Sequence, residues 1–479
     1  MHRWTIHLLG CLLLIGVGLI LAPALRQGFD RVRATIPNPS PDDGLEGTLV
    51  FEANLVRRGE ALYRPVVPEE FVSAPYTPGY TMAMAALPFN PDRPFTAGRT
   101  ISLVAMLVVA LGVAAFVGGH TRFWWLGGVA ALLWLSFAPT QLWATRVKPD
   151  ALALACIMVG LLLASIQHGR FAHWAAVAFA LAFLTKQTAL IAPVAVGLNL
   201  LMSDWRRAAR YALAYGLAVG LPYLALDLAT DGWASAHIWG LHQSEWWRLA
   251  LVWKYVELLV WSLPLAGLTL LALPNAREDF GYRQALLYAL LAPMTLYGAG
   301  EIGAHHNHLL ETMLAWTLAG GVGLGLVMQS WASGGWPWRM ASGAALVGLL
   351  MQANFLRTTP QWYRGEFFPA SLERFVPYIQ SKPGEVLADN VGLLVRAGKR
   401  VRFDDPSTMG PAIRSGLWDP SALHAAIAKH EFDLILLDVD LDTETTDAAG
   451  RWTDETLRLI KQYYTLEFRD TINSYVPKG

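Results

Sequence analysis

Residues 145–165 read TRVKPDALALACIMVGLLLAS. Arg146, Lys148 and Asp150 lead directly into an apolar run, 150–167. That run has about the length a helix needs to cross the ~30 Å hydrocarbon core of a bilayer. Pro149 ahead of Asp150 offers a helix start with an acid in the first turn, where the helix dipole favours negative charge. Outward in both directions the pattern recurs, with apolar runs near 4–25, 98–118, 124–143, 172–185, 188–202, 208–228, 251–273, 284–302, 309–330 and 338–356. Counting 150–167, these predict about eleven spans, the fifth and sixth interrupted by Lys186 and Gln187. Composition agrees: 54% of the 479 residues are hydrophobic and 15% charged, against roughly 25% charged in an average soluble domain. Lys+Arg (37) equal Asp+Glu (37), which leaves no electrostatic footprint for nucleic acid. Cys11 and Cys156 both lie in apolar runs, excluding a disulfide framework. Ala22-Pro23-Ala24 imitates a signal-peptide cleavage site, but the length of the first run favours an uncleaved anchor.

Sidedness follows from Lys and Arg in the short loops. With the N-terminus inside, Arg122, Arg170, Arg206, Arg207, Arg210, Arg277, Arg283 and Arg339 fall inside, and Arg146, Lys148, Lys186 and Arg248 outside. Residues 1–356 then form the membrane part, with 26–97 a long first outer loop, and 357–479 a soluble part outside. In the loop, 46–59 has helical spacing and 76–89 is apolar but too short to cross, so it is placed along the interface. In the tail, strand-like pieces (385–389, 401–404, 434–438, 474–477) alternate with helical ones (371–380, 420–430, 453–464), predicting a small α/β domain. The acids of that tail read as solvated surface.

Ionisable residues at membrane depth are costly and need an explanation. Here they gather at one face: Arg146, Lys148 and Asp150; Lys186 and Gln187; Glu301, His305, His306, Asn307, His308 and Glu311; and Glu46 and Glu52 in the first loop. Each alone is compatible with an ordinary outer loop. Together they predict a cavity at the outer interface lined by acids and bases. Bases at the lipid–water boundary suit a phosphate or pyrophosphate headgroup, and a carboxylate beside them suits a general base acting on a hydroxyl. Transfer of a group from a lipid phosphate meets both needs, and attack by one activated hydroxyl inverts the anomeric carbon. His305 and His308, spaced i, i+3, are compatible with a metal, a phosphate or sugar contact, or plain interfacial polarity.

The order of EGTLVFEANLVRRGEALYR (46–64), YTPGYTMAMAALPF (76–89), AGRTISL, TRVKPDALALA, LAFLTKQTALIAP and NHLLETMLAWTLAGG, followed by PGEVLADNVGLLVRAGKRV, SGLWDP and FDLILLDVD in the tail, resembles the GT-C superfamily. The likeness is to the bacterial branch related to protein mannosyltransferases and lipid A aminoarabinose transferases, and it covers nearly the whole chain. The resemblance implies a polytopic GT-C fold and a sugar donor on a polyprenyl phosphate, used at the outer face of a bacterial cytoplasmic membrane. The acceptor is a hydroxyl of a lipid, glycan or protein. It implies a catalytic acid in the first outer loop, in many members the aspartate of an Asp-Glu pair. Here that pair reads Leu45-Glu46, which makes Glu46 the candidate base, with Asp43 and Glu52 as alternatives. Asp150 matches a second-loop acid with a supporting role, and Lys186 a lysine on the donor phosphate. Gln187, Arg146, Asn307 and His308 are candidates for the same headgroup. Tyr76 and Tyr80 are candidates for the lipid groove, or interfacial anchors. A divalent cation is left open. The rival classes are a transporter or flippase of a lipid-linked solute, which would carry inverted repeats and midplane polar sites, and a non-catalytic assembly subunit.

Overall fold

The structure is a computed structural model describing residues 3–166, 171–241, 247–260, 262–270, 273–301, 304–331, 335–358, 364–367 and 371–479. Arg170, placed in an inner loop above, lies outside the described residues. The chain opens with a long helix α1 (Arg3–Thr35), ten residues longer than the predicted anchor at its C-terminal end. The first loop holds α2 (Gly44–Arg57) and α3 (Gly79–Ala85), at the two places the sequence marked. The bundle continues through α4 (Thr96–Thr121), α5 (Trp124–Ser136), α6 (Ala138–Trp143), α7 (Asp150–Ser165), α8 (Ala172–Thr185), α9 (Ile191–Ser203) and α10 (Trp205–Ala229). After α11 (Trp233–Ser235) come α12 (Leu249–Val260), α13 (Leu263–Leu270), α14 (Phe280–Leu291), a 3-10 stretch Ala292–Gly300, a 3-10 turn His306–Leu309, α15 (Leu310–Trp331) and α16 (Trp336–Thr358).

All eleven apolar runs are helical over at least part of their length, but they are not eleven equal spans. Among the described residues, four helices are long and apolar enough to cross a bilayer: His7–Thr35, Thr96–Thr121, Trp205–Ala229 and His306–Gln329. The pair Leu249–Leu259 and Leu263–Leu270, bent by 74°, gives up to a fifth. Helices α5, α7, α8 and α9 are apolar but have 13–16 residues, reaching about 20–24 Å at 1.5 Å per residue. Helix α7 begins only after the turn at 144–149, the turn at 186–190 separates α8 from α9, and α5 ends at Ser136, just ahead of Pro139. The bundle closes around Trp125, Trp134 and Trp143, all fully buried.

Beyond α16, a short α17 (Arg364–Phe367) precedes an α/β fold: α18 (Val376–Ser381), β1 (Glu385–Ala388), α19 (Val391–Ala397), α20 (Pro406–Arg414), α21 (Ser421–Ala428), β2 (Phe432–Leu437), α22 (Asp454–Tyr463), β3 (Tyr464–Phe468) and β4 (Asn473–Pro477). The sheet order is β1-β2-β4-β3, with β1 parallel to β2 and the other pairs antiparallel. β2 is buried on both faces. Ile435 and Leu437 pack toward Met409, Ile427 and Leu457, and Leu434 and Leu436 toward Ile379 and Leu393, the alternation a central strand requires. Two expectations are corrected. The stretch 401–404 is no sheet strand, because its backbone pairs instead with the first loop: Phe71 N donates to Arg402 O (2.8 Å) and Asp404 N to Phe71 O (3.1 Å). The helix expected over 453–464 ends at Tyr463, and the β-branched and aromatic run after it forms β3.

Candidate active site

The first loop and the soluble part meet over α2. Asp43 caps this helix, its Oδ1 accepting from Glu46 N at 3.1 Å. One turn in, Gly47 lies against the backbone of Gly392 in α19, so closely that a Cβ there would sit 2.0 Å from the Gly392 nitrogen. Thr48 donates to the Asp404 carbonyl, and Ser73 N donates to Asp404 Oδ1 (2.9 Å).

Four of the first-loop carboxylates, Asp42, Asp43, Glu46 and Glu52, have sharply different surroundings. Glu46 is fully buried and forms a two-pronged pair with Arg99: Nε donates to Oε1 (3.1 Å) and Nη2 to Oε2 (2.6 Å). Val147 N donates to the same Oε1 (2.8 Å) and Asp42 N to Oε2 (2.7 Å). Every favourable direction around this carboxylate is taken, and it lines no cavity, which corrects its placement as the base. Asp42 is held between Arg31 Nη2 (2.6 Å) and Arg146 Nε (2.7 Å). Glu52 is 1% exposed, with Oε1 lacking a hydrogen-bond partner among the described residues. Burial, and the carboxylates of Asp404 and Asp405 facing it, push the Glu52 carboxyl well above the usual range, and its side chain is closed off from solvent. Asp43 alone opens onto a cavity, its side chain 25% exposed, with Lys148 Nζ at 3.1 Å and Arg146 Nε at 3.8 Å. Burial would raise the Asp43 carboxyl, but Lys148 and Arg146 outweigh it and hold it at about 2.

That cavity, of about 290 Å³, is walled by Asp43, Thr48, Lys148 and His305 on one side and by Asp389, Asp405, Ser407, Asp438 and Arg451 of the soluble part on the other. Burial, with Arg146 and Lys148 close by, lowers His305 to about 4, so its ring is neutral at pH 7. The acids of the tail are thus not all solvated surface. Asp389 and Asp438 directly follow β1 and β2, and strand-end acids in an α/β reading were the signal available in the sequence.

A second cavity, of about 320 Å³, is lined by Asp150, Lys186, Asn307 and His308, with Glu301 and Glu311, against apolar side chains including Leu154, Ile157, Leu190 and Met294. Lys186 Nζ donates to Asp150 Oδ1 at 2.5 Å, joining the starts of the α7 and α9 segments. Asn307 reaches the same carboxylate. His308 fits beside the 3-10 stretch because Gly298 has no side chain: a Cβ there would lie 2.6 Å from the ring. No described residue lines both cavities, but two stretches of chain line one and then the other: Lys148 lines the first and Asp150 the second, and His305 the first and Asn307 the second. Residues two apart are within about 7 Å along the chain. The ring of Tyr76 lies among Asp150, Asp405, Asp43 and Glu52, which together with burial hold its phenol well above its ordinary range.

The remaining expected site residues sit behind these walls. Arg146 is buried on Asp42, stacked over Trp143 (5.1 Å to the ring centre), and lines neither cavity. Gln187 spends its amide on the Pro75 carbonyl (2.8 Å), tying the α8–α9 turn to the first loop. Tyr80 is 1% exposed and donates to Gly98 O (2.9 Å), a packing role rather than a groove. The His305–His308 metal pair is not formed. His305 is extended (φ −129°, ψ −177°) and the turn after it is 3-10, so the α-helical i, i+3 face does not exist. Among the described residues, the groups with ligand atoms within 4.8 Å of one another are His305, His306 and Glu366, a set that can hold a divalent cation.

No protein-family model and no curated protein sequence matches the chain. Solved structures do match. ArnT from Cupriavidus metallidurans in the apo state aligns over 96% of this chain and 97% of its own with a TM-score of 0.59 at 14% identity. The same protein bound to undecaprenyl phosphate aligns over the same shares with a TM-score of 0.57 at 14% identity. The chain therefore shares the fold of these structures, a bundle of apolar helices with a C-terminal α/β part, as its sequence pattern led one to expect.

Proposed function

We propose, with that fold as premise, that the chain is a membrane-embedded inverting glycosyltransferase taking its sugar from a polyprenyl-phosphate donor. The reading is supported by two cavities whose linings come within two residues of each other at Lys148/Asp150 and at His305/Asn307, and by the neighbour solved with undecaprenyl phosphate. The second cavity has the character a lipid-phosphate headgroup needs: an apolar side for the chain, and Lys186, Asn307 and His308 where the phosphate ends. Asp150 is a positioning residue that holds the Lys186 ammonium toward that point. The base is Asp43, because of the three candidate acids Asp43, Glu46 and Glu52 it is the one that lines a described cavity, with Lys148 beside it favouring the ionised form.

In the reaction, Asp43 accepts the proton of an acceptor hydroxyl in the first cavity. The hydroxyl oxygen forms the new bond to the anomeric carbon as the bond from that carbon to the phosphate oxygen breaks. The lipid phosphate departs with both electrons, and its developing charge falls on Lys186. A single displacement inverts the sugar. Membrane sidedness follows the arginine distribution: N-terminus inside, both cavities and residues 357–479 at the outer face of the cytoplasmic membrane.

The test is release of free lipid phosphate when purified protein is incubated with a panel of polyprenyl-phosphate sugars. Asn caps a helix as well as Asp does, so Asp43→Asn preserves the fold, while losing a general base costs about 10²–10⁴-fold in turnover. Full turnover by this variant removes Asp43 from the role, and no release from any donor removes the enzyme reading.

A further inference from the structure

The cavity facing Asp43 is half built by the soluble part, and the place where it opens is informative. In α/β sheets, ligands bind outside the carboxyl ends of parallel strands. β1 and β2 are the parallel pair here, Asp389 and Asp438 are the first residues beyond them, and both line this cavity opposite the helix cap that carries Asp43. Resting on the reaction proposed above, we infer that this cavity is the acceptor subsite, and that it takes a neutral, hydroxyl-rich sugar end rather than a phosphate.

The charge arrangement carries the second half of that statement. Among the described lining residues, each cation is already matched by carboxylates. Lys148 lies on Asp43 (3.1 Å), and Arg451 reaches Asp438 (2.5 Å), Asp389 (3.6 Å) and Asp447 (3.2 Å). Asp405 adds a further acid, its oxygens occupied by Ser407 N (3.0 Å) and the Thr408 hydroxyl (2.6 Å). An incoming phosphate would meet four carboxylates, three of them already on Lys148 or Arg451, whereas in the second cavity Lys186 has one carboxylate partner, Asp150, with Asn307 and His308 beside it as further donors. Neutral hydroxyls meet the same walls favourably, donating to carboxylate oxygens in charge-assisted bonds that are about twice as strong as neutral ones. Leu372 and Ile472 at the edge offer an apolar surface suited to the C–H face of a sugar ring. The volume of about 290 Å³ lies at the small end of ligand pockets, which begin near ~300 Å³.

The experiment uses full-length protein in lipid nanodiscs, with thermal unfolding followed in the presence of neutral methyl glycosides, inorganic phosphate, glucose 1-phosphate, or a Ser/Thr-containing peptide. The expected result is stabilisation by one or more neutral glycosides, with half-saturation about tenfold weaker in Asp438→Asn, about 1.4 kcal/mol by the usual conversion. Neither phosphate compound should stabilise. Stabilisation by the phosphate compounds or by the peptide alone, by none of the ligands, or equally in wild type and Asp438→Asn overturns the inference. No donor is present, so failure here leaves the lipid-phosphate assay standing. Conversely, glycoside binding without any donor cleavage keeps the ligand class and removes its role as acceptor.

Discussion

Asp43 and Glu46 lie three residues apart on one helix start, and their fates are decided by what arrives from elsewhere. Arg99, from α4, reaches Glu46 with Nε and Nη2, while Nη2 also donates to the Ser40 carbonyl and Nη1 to the Thr35 and Asn38 carbonyls. Removing one partner of such a buried pair costs roughly 3–5 kcal/mol, because the other charge stays buried alone. Glu46→Gln is therefore expected to lower the thermal midpoint and the yield of folded protein, and to leave turnover per folded molecule near wild type. A wild-type midpoint with lost turnover would return Glu46 to the chemistry. Asp43 titrates under a different constraint. Its contribution is present above the ordinary carboxylate pKa and is lost as pH falls through about 2. Lys148 is the first-named cation holding it down, and a nearby opposite charge is worth 1–3 units. Lys148→Gln should thus move the acid limb of kcat/KM upward by roughly 1–2 units, read from a pH profile. An unmoved limb would separate Lys148 from the base.

At the scale of elements, α2 is a lever whose tip is the base and whose shaft rests on α19. Gly47 and Gly392 meet backbone to backbone, and a Cβ on Gly392 would lie 2.6 Å from Pro41. Glycine is needed here for closeness. Gly47→Ala forces the two helices apart, an overpacking cost of typically ~1–3 kcal/mol, and shifts Asp43 relative to Lys148. The expected reading is a fall in kcat with donor KM unchanged, since Lys186 and Asp150 sit on other helices. Equal changes in both would count against the lever. The element boundaries that the sequence missed share one cause. Residues 401–404 were legible as extended backbone, but their partner, Phe71, lies in a loop more than 300 residues earlier. The short α7, α8 and α9 were legible as apolar, but where each stops depends on which polar turns the tertiary structure shelters.

For the whole molecule, two buried carboxyls whose neutral form is favoured lie where the α/β part meets the first loop. Glu52 and Asp404, buried at 1% and 0% exposure, both have carboxyls raised well above the ordinary range, by burial first and by neighbouring acids second. A raised folded pKa means that the docked state is most favoured at low pH, near and below the unfolded value of ~4. It loses that advantage as pH rises through the folded pKa. Docking is expected to loosen on the alkaline side, measurable as falling protection from protease at the 71–73 and 402–404 contacts. Glu52→Gln, which cannot ionise, should flatten that dependence. A slope that survives the substitution would place its origin elsewhere.

The sequence by itself determined the class of the protein: an apolar chain of many helical runs, charged turns at one face, a helix in the first loop beginning beside Asp43, and an α/β tail. Hydropathy and helical spacing are local properties, so one strand of text suffices to read them. Only the tertiary structure decided which of the candidate carboxylates lines a described cavity, that Arg146 and Gln187 line neither of the two, and that Asp389 and Asp438 close the first from the far end of the chain. Ionisation and access depend on distances between residues that are hundreds of positions apart. Arg99 quenches Glu46 and Lys148 poises Asp43 only because folding brings them there.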